Sequence, residues 1–390
     1  MPVTLEKKLE NLGRLSQFDV TGLSRLFSLR PYLKNAPFIY PAVGFKGSCI
    51  NLFKVLQTNL CRHNCFYCAN RWQRNCLRLS FSPEELARLF LHFYKKRYVQ
   101  GLFLSSAIYP DPNKTQEKMY ITLSIIRKQG FGGYIHSVIL PGVDDNLIKK
   151  VARLSDRVSL NLEAPNQIYL SKLSPDKNFK QQLLNGLEKL SLLNKERPFK
   201  AGITTQLVVG AVDESDRDIL SLSDNLYKRL QLSRVYYSGF IPIKDTPLET
   251  KPQCPPLREA RLYQADFLLR HYGFKLEELV FDDKGNLIRE VDPKLAWAKR
   301  HPENFPMEIN SASKEQLLRV PGIGRISVER IINLRRDKKF SSLDELRKIG
   351  VVVNKARNFI TLKGKFYPTL KKKEPLSLKK EKQLFLWEEL

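Results

Sequence analysis

Between residues 50 and 272 the chain alternates six times between β-like and helical segments. Apolar, β-branched-rich runs begin near residues 52, 101, 134, 157, 202 and 234, and a longer helical pattern follows each of them. Serial β–α units favour a parallel sheet with helices outside it. Six units are two fewer than a closed barrel needs, so the sequence predicts an α/β fold with a partial (β/α)6 barrel. A doubly wound sheet is the alternative.

The rest of the chain divides around this barrel. Turn signals at Pro37 and Pro41 mark the region before it, and Pro293, Pro302 and Pro306 are expected to interrupt helices after it. A compact all-helical pattern follows, and the last thirty residues hold eight lysines and four acids. We predict an N-terminal extension, the barrel, a connector, an all-α C-terminal domain and a flexible basic tail at residues 1–48, 49–272, 273–307, 308–360 and 361–390.

The charge balance restricts the partners of the chain. Its 390 residues include 66 basic and 40 acidic side chains, which give a net charge of +26. Such a surplus favours a polyanionic partner, nucleic acid first and an anionic membrane surface second. No apolar run reaches the ~18 residues that span a bilayer, and the N-terminus is polar. We therefore expect a cytoplasmic protein without a membrane partner.

Three of the six cysteines fall within eight positions, Cys61, Cys65 and Cys68, just after the first barrel strand. Thiolates at this C-x3-C-x2-C spacing favour an iron–sulfur cluster or zinc. Structural sites usually take four protein ligands, so three leave one metal position open for chemistry. The alternative is a closed zinc site whose fourth ligand is His63, Cys49, Cys76 or Cys254.

This loop resembles that of the radical S-adenosylmethionine (radical SAM) superfamily, in which C-x3-C-x2-C follows the first strand of a partial barrel. An aromatic residue precedes the third cysteine in that family, and Tyr67 holds this position. The resemblance implies that the cysteines hold a [4Fe–4S] cluster whose open iron binds the amino and carboxylate groups of SAM. Reduction then cleaves SAM, and the 5′-deoxyadenosyl radical removes a hydrogen atom from the substrate.

The same resemblance implies further SAM contacts at the strand ends. Ser105 and Ser106 stand where the family often has a Gly-Gly-Glu-like motif beside the methionine amino group. Asn161 and Glu163 could bind ribose hydroxyls or the amino group, and Gln206 lies on a strand that resembles the one near adenine. Four arginines near the cysteine loop are candidates for contacts with a phosphate backbone, with solvated surface as the alternative: Arg62, Arg71, Arg74 and Arg78.

A Pro-Gly-Ile-Gly hairpin between two helical patterns carries the second motif. Gly322 and Gly324 permit a tight turn and leave backbone N–H groups at the start of the next helix, which is an anion site suited to phosphate. This is similar to the helix–hairpin–helix motif, which grips DNA backbone without reading sequence. A weaker copy follows at 340–360, and residues 310–360 hold twelve basic and five acidic residues. The predicted nucleic-acid contacts are Gly322, Ile323, Gly324, Arg325, Lys338 and Lys339; a protein-interaction or purely structural hairpin is the alternative.

The combination of both motifs resembles a bacterial family of radical SAM proteins assigned to DNA modification or repair. That resemblance implies a DNA base as substrate, an electron donor and a uracil-DNA-glycosylase-like partner protein. Two alternatives stay open: an RNA modifier acting on tRNA bases, and a nucleic-acid-binding protein with a structural or redox-sensing cluster. The catalytic residues, the lesion, and the roles of Cys49, Cys76 and Cys254 do not follow from the sequence.

Overall fold

The computed structural model describes residues 3–19, 36–43 and 49–368. Parts of the predicted N-terminal extension and most of the predicted basic tail, residues 369–390, lie outside these ranges. The chain divides into two compact units, which meet between Glu259 and Ala260. The segment boundaries drawn from the sequence at residues 48, 272, 307 and 360 stay predictions.

A seven-stranded sheet forms the centre of the first unit. Its strand order follows the chain order; the first strand is antiparallel to the second, and strands two to seven run parallel. Because the order never reverses, the sheet is not doubly wound, and the predicted partial (β/α)6 barrel is confirmed. The strands are β1 (Ile39–Val43), β2 (Cys49–Leu56), β3 (Gly101–Ser105), β4 (Tyr134–Val138), β5 (Arg157–Ser159), β6 (Ile203–Val209) and β7 (Arg234–Gly239).

Helices connect the parallel strands as the alternating pattern predicted. Ser82 shows why they begin where they do: its hydroxyl accepts from the Glu85 backbone N–H at 3.1 Å, and the Glu85 carboxylate accepts from the Ser82 N–H at 2.9 Å. Pro83 follows at the first helical position, where no donor is needed. The helices of this unit are α1 (Leu5–Leu15), α2 (Pro83–Lys95), α3 (Pro112–Lys128), α4 (Asp145–Leu154), α5 (Gln167–Leu173), α6 (Asn185–Glu196) and α7 (Asp216–Leu230), and α8 (Pro256–His271) crosses the unit boundary.

Two strands differ from the sequence prediction. Pro41, expected in a turn, lies in β1, which is an edge strand and so tolerates a residue that cannot donate to the ladder. The apolar run that predicted a strand to residue 164 forms a ladder only as far as Ser159. Beyond it Glu163 adopts a φ of 65° and makes an isolated bridge with Leu207. The chain therefore turns at the carboxyl end of β5, beside the candidate site.

The second unit is mainly helical. Its helices after α8 are α9 (Pro293–Arg300), α10 (Lys314–Arg319), α11 (Arg325–Asp337), α12 (Leu343–Lys348) and α13 (Val353–Ala356). The expectation that Pro293 interrupts a helix is wrong: Asp292 caps the N–H of Leu295 at 2.8 Å, and proline fits the first position of α9.

The all-α prediction for this region also lacks one small feature, a three-stranded sheet formed by β8 (Met307–Glu308), β9 (Ile360–Leu362) and β10 (Lys365–Phe366). Lys363 and Gly364 both have positive φ and make the tight turn between β9 and β10. No helix in the described ranges is long and apolar enough to cross a membrane.

Candidate functional site

The cysteine loop leaves the carboxyl end of β2 and turns back before α2. All three of its cysteines are free thiols, with Cys61 and Cys65 buried and Cys68 half-buried. The Cys65 thiol forms a 3.0 Å hydrogen bond with the Ser174 hydroxyl, and the Asn70 N–H donates to the sulfur of Cys68 at 3.3 Å. Burial, and then the neighbouring thiols, raise the pKa of Cys68. Positive charge is therefore needed nearby for these groups to act as thiolates.

Arg78 fixes the shape of this loop. Its guanidinium donates at 2.6–3.3 Å to five backbone carbonyls, those of Asn59, Asn70, Arg71, Trp72 and Arg74. Arg71 is buried and donates to the side chains of Asn64 and Gln73, while Arg74 donates to the Ala69 and Lys244 carbonyls. Among the four arginines considered for a phosphate backbone, only Arg62 has an exposed side chain that is not engaged in folding the loop.

One cavity at the carboxyl ends of the strands brings the predicted residues together. The thiols line one part of it, and Lys177 and Asp19, which the sequence did not indicate, line it as well. Every predicted cluster or SAM residue lines this cavity: Cys61, Cys65, Tyr67, Cys68, Ser105, Ser106, Asn161, Glu163 and Gln206. The structure thus places these nine side chains together, and their individual contacts with cofactor atoms stay predictions.

Lys177 supplies the positive charge beside the thiols. Its ammonium lies 3.4 Å from the Glu163 carboxylate, and both side chains are 9% exposed. Burial by itself lowers the pKa of Lys177, but Cys65 and Glu163 outweigh it and raise that pKa above the ordinary 10.5. Burial and the Glu163 carboxylate, which accepts a hydrogen bond from Tyr67, raise the pKa of Tyr67 well above 10. Lys177 is therefore a cation and Tyr67 a neutral donor in this cavity.

Asp19 comes from the N-terminal segment and reaches the other polar groups. It ends the 3-10 turn after α1, and its carboxylate accepts hydrogen bonds from the side chains of Ser105 and Asn161. The Gln206 amide donates to the Phe18 carbonyl at 3.1 Å, which ties the same turn to β6. Burial raises the pKa of Asp19 above the ordinary 3.8, although Lys54 opposes this. A segment outside the barrel thus contributes a carboxyl group to the cavity.

Two buried polar atoms in the cavity lining are candidates for contacts with a bound ligand. Within the described residues, the Asn70 Oδ1 and Ser106 Oγ atoms are buried and have no hydrogen-bond partner. Buried polar groups are normally paired, so both atoms are available to a polar group that enters the cavity. The described ranges contain no group of three His, Cys, Asp or Glu side chains arranged around a single metal ion. In a [4Fe–4S] cluster each cysteine binds a different iron, so the three thiolates need not surround a single ion.

The hairpin of the second unit is a tight glycine turn between α10 and α11. Gly322 has a φ of +82°, and a Cβ added there would lie 2.5 Å from the Val352 carbonyl oxygen. Gly324 caps α11 without a side chain, so no N-cap group occupies the first N–H groups of this 13-residue helix. Arg325 is exposed beside them. The Val352 N–H donates to the Gly322 carbonyl at 2.8 Å, so the second hairpin supports the first.

The remaining predicted nucleic-acid contacts do not all lie at this turn. Ile323 is fully buried, and its N–H donates to the Val320 carbonyl, so its side chain belongs to the core. Lys338 and Lys339 are exposed but follow the far end of α11, about 20 Å from Arg325 along the helix. They could contact only a different phosphate from the one held by the hairpin.

Comparison with known proteins agrees with both sites. The model of the Radical SAM superfamily matches residues 55–225, and that of a helix-hairpin-helix motif matches residues 306–360. No curated protein matches the chain. Similar solved structures include the FeFe-hydrogenase maturase HydG from Carboxydothermus hydrogenoformans, at 16% identity, covering 55% of this chain and 50% of that one with a TM-score of 0.43. Methylornithine synthase (PylB) is similar at 15% identity, covering 69% of this chain and 74% of that one with a TM-score of 0.45.

The chain spans about half the length of the HydG structures that it matches. It carries a radical SAM domain at residues 55–225, followed by a helix-hairpin-helix motif at residues 306–360. The cofactors of the radical SAM superfamily, a [4Fe–4S] cluster and SAM, are those that the resemblance of the cysteine loop implied.

Proposed function

We propose that the protein is a radical SAM enzyme that modifies or repairs a base in DNA. The observation that carries the proposal is the presence, in one chain of net charge +26, of a radical SAM cavity and a helix–hairpin–helix turn. The first supplies chemistry on unreactive C–H bonds, and the second supplies a grip on a phosphate backbone that is independent of sequence. A nucleic acid is the substrate class that uses both.

In this proposal Cys61, Cys65 and Cys68 hold the [4Fe–4S] cluster in the cavity. When bound, the cluster and SAM supply a carbon radical that removes a hydrogen atom from the substrate. The side chains of the cavity have simpler tasks: Lys177 balances the negative charge of the thiolates, and Asn70 and Ser106 offer unpaired polar atoms to SAM.

Exclusion of water is the other task of this cavity. Apolar side chains from the ends of β3, β4 and β7 line it, among them Ile108, Leu140 and Phe240. A radical would otherwise meet solvent and be lost to side reactions, so a lining of this kind confines the chemistry to the bound substrate.

The backbone grip belongs to the second unit. A phosphate at the start of α11 would meet unbonded N–H groups and the positive end of the helix dipole, with Arg325 exposed next to it. Such contacts do not read sequence, which suits an enzyme that must act on a base in many contexts. An electron donor and a glycosylase-like partner remain part of the proposal.

The test uses the full chain, purified without oxygen and loaded with iron and sulfide. We expect acid-labile sulfide, formation of 5′-deoxyadenosine from SAM after reduction, and an affinity for DNA that falls steeply as salt rises. A protein with an intact cluster that releases no 5′-deoxyadenosine under several reductants would instead be a binding protein with a structural or redox-sensing cluster.

Two further results would redirect the proposal. Stoichiometric zinc without sulfide would end the radical chemistry altogether. Tighter binding of RNA than of DNA, measured by competition between labelled strands of equal sequence, would favour the RNA-modifying alternative.

A further inference from the structure

Two large aromatic side chains are exposed beside the cysteine loop. Trp72 is 58% exposed and Tyr109 is 40% exposed. Their rings are nearly parallel, with an interplanar angle of 9° and centroids 6.4 Å apart. Aromatic rings are usually covered in a folded protein, because each removes a large apolar area from water. The parallel Trp72–Tyr109 pair therefore presents a flat apolar surface to solvent.

The position of this pair links it to the cavity. Trp72 lies on the cysteine loop, where its backbone N–H donates to the His63 carbonyl at 2.9 Å. Tyr109 directly follows Ile108 at the end of the segment after β3. Both His63 and Ile108 line the cavity. The aromatic pair is thus adjacent to the cavity on the two segments that form this part of its lining.

Positive charge adjoins the aromatic pair. Arg62 is exposed; its backbone N–H donates to the Ile108 carbonyl at 2.8 Å, and its guanidinium reaches the Pro110 carbonyl at only 3.4 Å. Its side chain is thereby held next to Tyr109 and retains free donors. Lys114, 71% exposed at the start of α3, lies five residues after Tyr109, with its ammonium 3.9 Å from the Asp111 carboxylate. Flat aromatic faces next to exposed cations are the combination that binds single-stranded nucleic acid, through base stacking and phosphate contacts.

We infer that Trp72 and Tyr109 form a stacking platform for an unpaired base of the nucleic-acid substrate, with Arg62 contacting a neighbouring phosphate. This inference rests on the proposed function and narrows its substrate to single-stranded or locally opened nucleic acid. A base inside a duplex presents only its edges in the grooves, so an enzyme that acts on the base within an enclosed cavity must first take it out of the stack. An aromatic surface at the cavity offsets the stacking lost in that step.

The experiment measures anisotropy of fluorescein-labelled DNA strands bound to the cluster-loaded full chain. Three probes are used: a mixed-sequence single strand, the same strand with abasic residues in its central part, and the duplex. The same single strand made of RNA shows whether the platform distinguishes the sugar. The variants are Trp72→Ala, Trp72→Phe, Tyr109→Ala and Arg62→Ala. Tyr98→Ala is the matched control, since Tyr98 is an exposed aromatic (55%) that precedes β3, at the opposite end of that strand.

Loss of one stacking contact weakens binding about tenfold, so we expect this loss for Trp72→Ala with the base-containing single strand. Trp72→Phe should retain most of the affinity, and Tyr98→Ala all of it. Affinity for the abasic strand should be the same in Trp72→Ala and the wild type, whereas Arg62→Ala should weaken both strands equally. Iron and sulfide content then shows that the exposed replacements leave the loop intact.

Equal binding of the base-containing strand by the wild type, Trp72→Ala and Tyr109→Ala would overturn the platform and leave the proposed function standing. An equal loss for base-containing and abasic strands would also overturn it, because stacking could not be the cause. A wild type that binds none of the strands at any salt concentration would overturn both the platform and the proposed substrate.

Discussion

Cys68 and Cys76 provide a direct comparison at the scale of single residues. Cys68 lines the cavity with two other thiols, whereas the Cys76 thiol donates to the Ala69 carbonyl at 3.8 Å. We expect Cys68→Ser to lose nearly all bound iron and acid-labile sulfide after reconstitution, and Cys76→Ser to keep both. Chemical iron and sulfide assays measure this. Retention of sulfide by Cys68→Ser, together with its loss from Cys76→Ser, would show that the cysteine ligands are assigned wrongly here.

The buried Lys177–Glu163 ion pair leads to a prediction about the free energy of unfolding of a single and a double variant. Removing one partner of a buried ion pair leaves an uncompensated charge, which costs about 3–5 kcal/mol, while removing both costs less. Lys177→Met should therefore lower the free energy of unfolding more than the double variant Lys177→Met/Glu163→Gln does. Urea unfolding of the cluster-free protein, followed by circular dichroism, measures both. A double variant less stable than the single one would show that the two side chains do not act as a pair.

The sequence pointed to cavity residues where they stand in a local motif or at the end of a predicted strand. Cys61, Cys65 and Cys68 share one loop and Ser105 ends β3, and all four line the cavity. Asp19 and Lys177 reach the same cavity from a turn before the barrel and from a loop after α5, and neither carries a pattern of its own. Their role depends on tertiary contacts with distant residues such as Ser105 and Glu163. No local rule could have selected them among 66 basic and 40 acidic residues.

The first hairpin of the second unit makes a prediction at the scale of elements. Gly322 and Gly273 both have positive φ, at +82° and +69°, so alanine strains the backbone at either position by about 1–2 kcal/mol. Only at Gly322 would the new Cβ also meet another backbone atom, 2.5 Å away. We expect Gly322→Ala to weaken DNA binding strongly and to speed amide hydrogen exchange in α10 and α11. Gly273→Ala is the control, and an equal effect of both would exclude the hairpin contact as the cause.

Glu308 links the start of the helical region to the turn between β9 and β10, and this link depends on pH. Partial burial by itself raises the pKa of Glu308, but the N–H groups of Gly364, Asn310 and Lys363 outweigh it and hold that pKa below 4.5. A depressed carboxyl pKa contributes stability above the unfolded value, and the contribution is lost as the pH falls through the folded value.

Glu308→Gln should therefore be less stable than the wild type at neutral pH, and the difference should shrink as the pH falls below 4.5. Urea midpoints across this range measure it. Glu277→Gln, which changes an exposed acid of the same unit, is the control. A difference between Glu308→Gln and the wild type that does not change with pH would show that the carboxylate charge is not responsible.

Elements were predictable where hydrophobic period and caps agree. The six parallel strands and the helices between them follow the alternating pattern closely. The wrong predictions for the two prolines have a common cause, because the structural effect of a proline depends on its position in an element. Pro41 lies in an edge strand and Pro293 at the start of a helix. Neither the edge nor the helix start is visible until the whole sheet or cap is known.

At the scale of the whole molecule, the candidate cluster site and the proposed DNA contact lie in different compact units, so we expect each to fail without the other. The cavity lies before residue 260 and the hairpin after it. We expect Gly322→Ala to keep its full content of iron and sulfide while its DNA affinity and the salt dependence of that affinity fall. Cluster assays and anisotropy on one preparation measure both. A coupled loss of iron in this variant would show that the units depend on each other for folding.

Composition and motifs thus predicted the kind of molecule better than its particular contacts. The charge of +26 and the two motifs follow from counting and spacing, which survive without coordinates. The turn of the chain after β5, the burial of Lys177 and the exposure of Trp72 depend on contacts between segments that are distant in the sequence.

The guanidinium of Arg78, bonded to five carbonyls of the cysteine loop, has a consequence for the life of the enzyme in air. Oxygen destroys exposed iron–sulfur centres, and a loop shaped only by its metal would then collapse. In this protein, hydrogen bonds from Arg78 stabilise the conformation of the cysteine loop without any contribution from the cluster. We expect a molecule that has lost its cluster to oxygen to bind fresh iron and sulfide without refolding. The cluster can then be rebuilt in the same molecule.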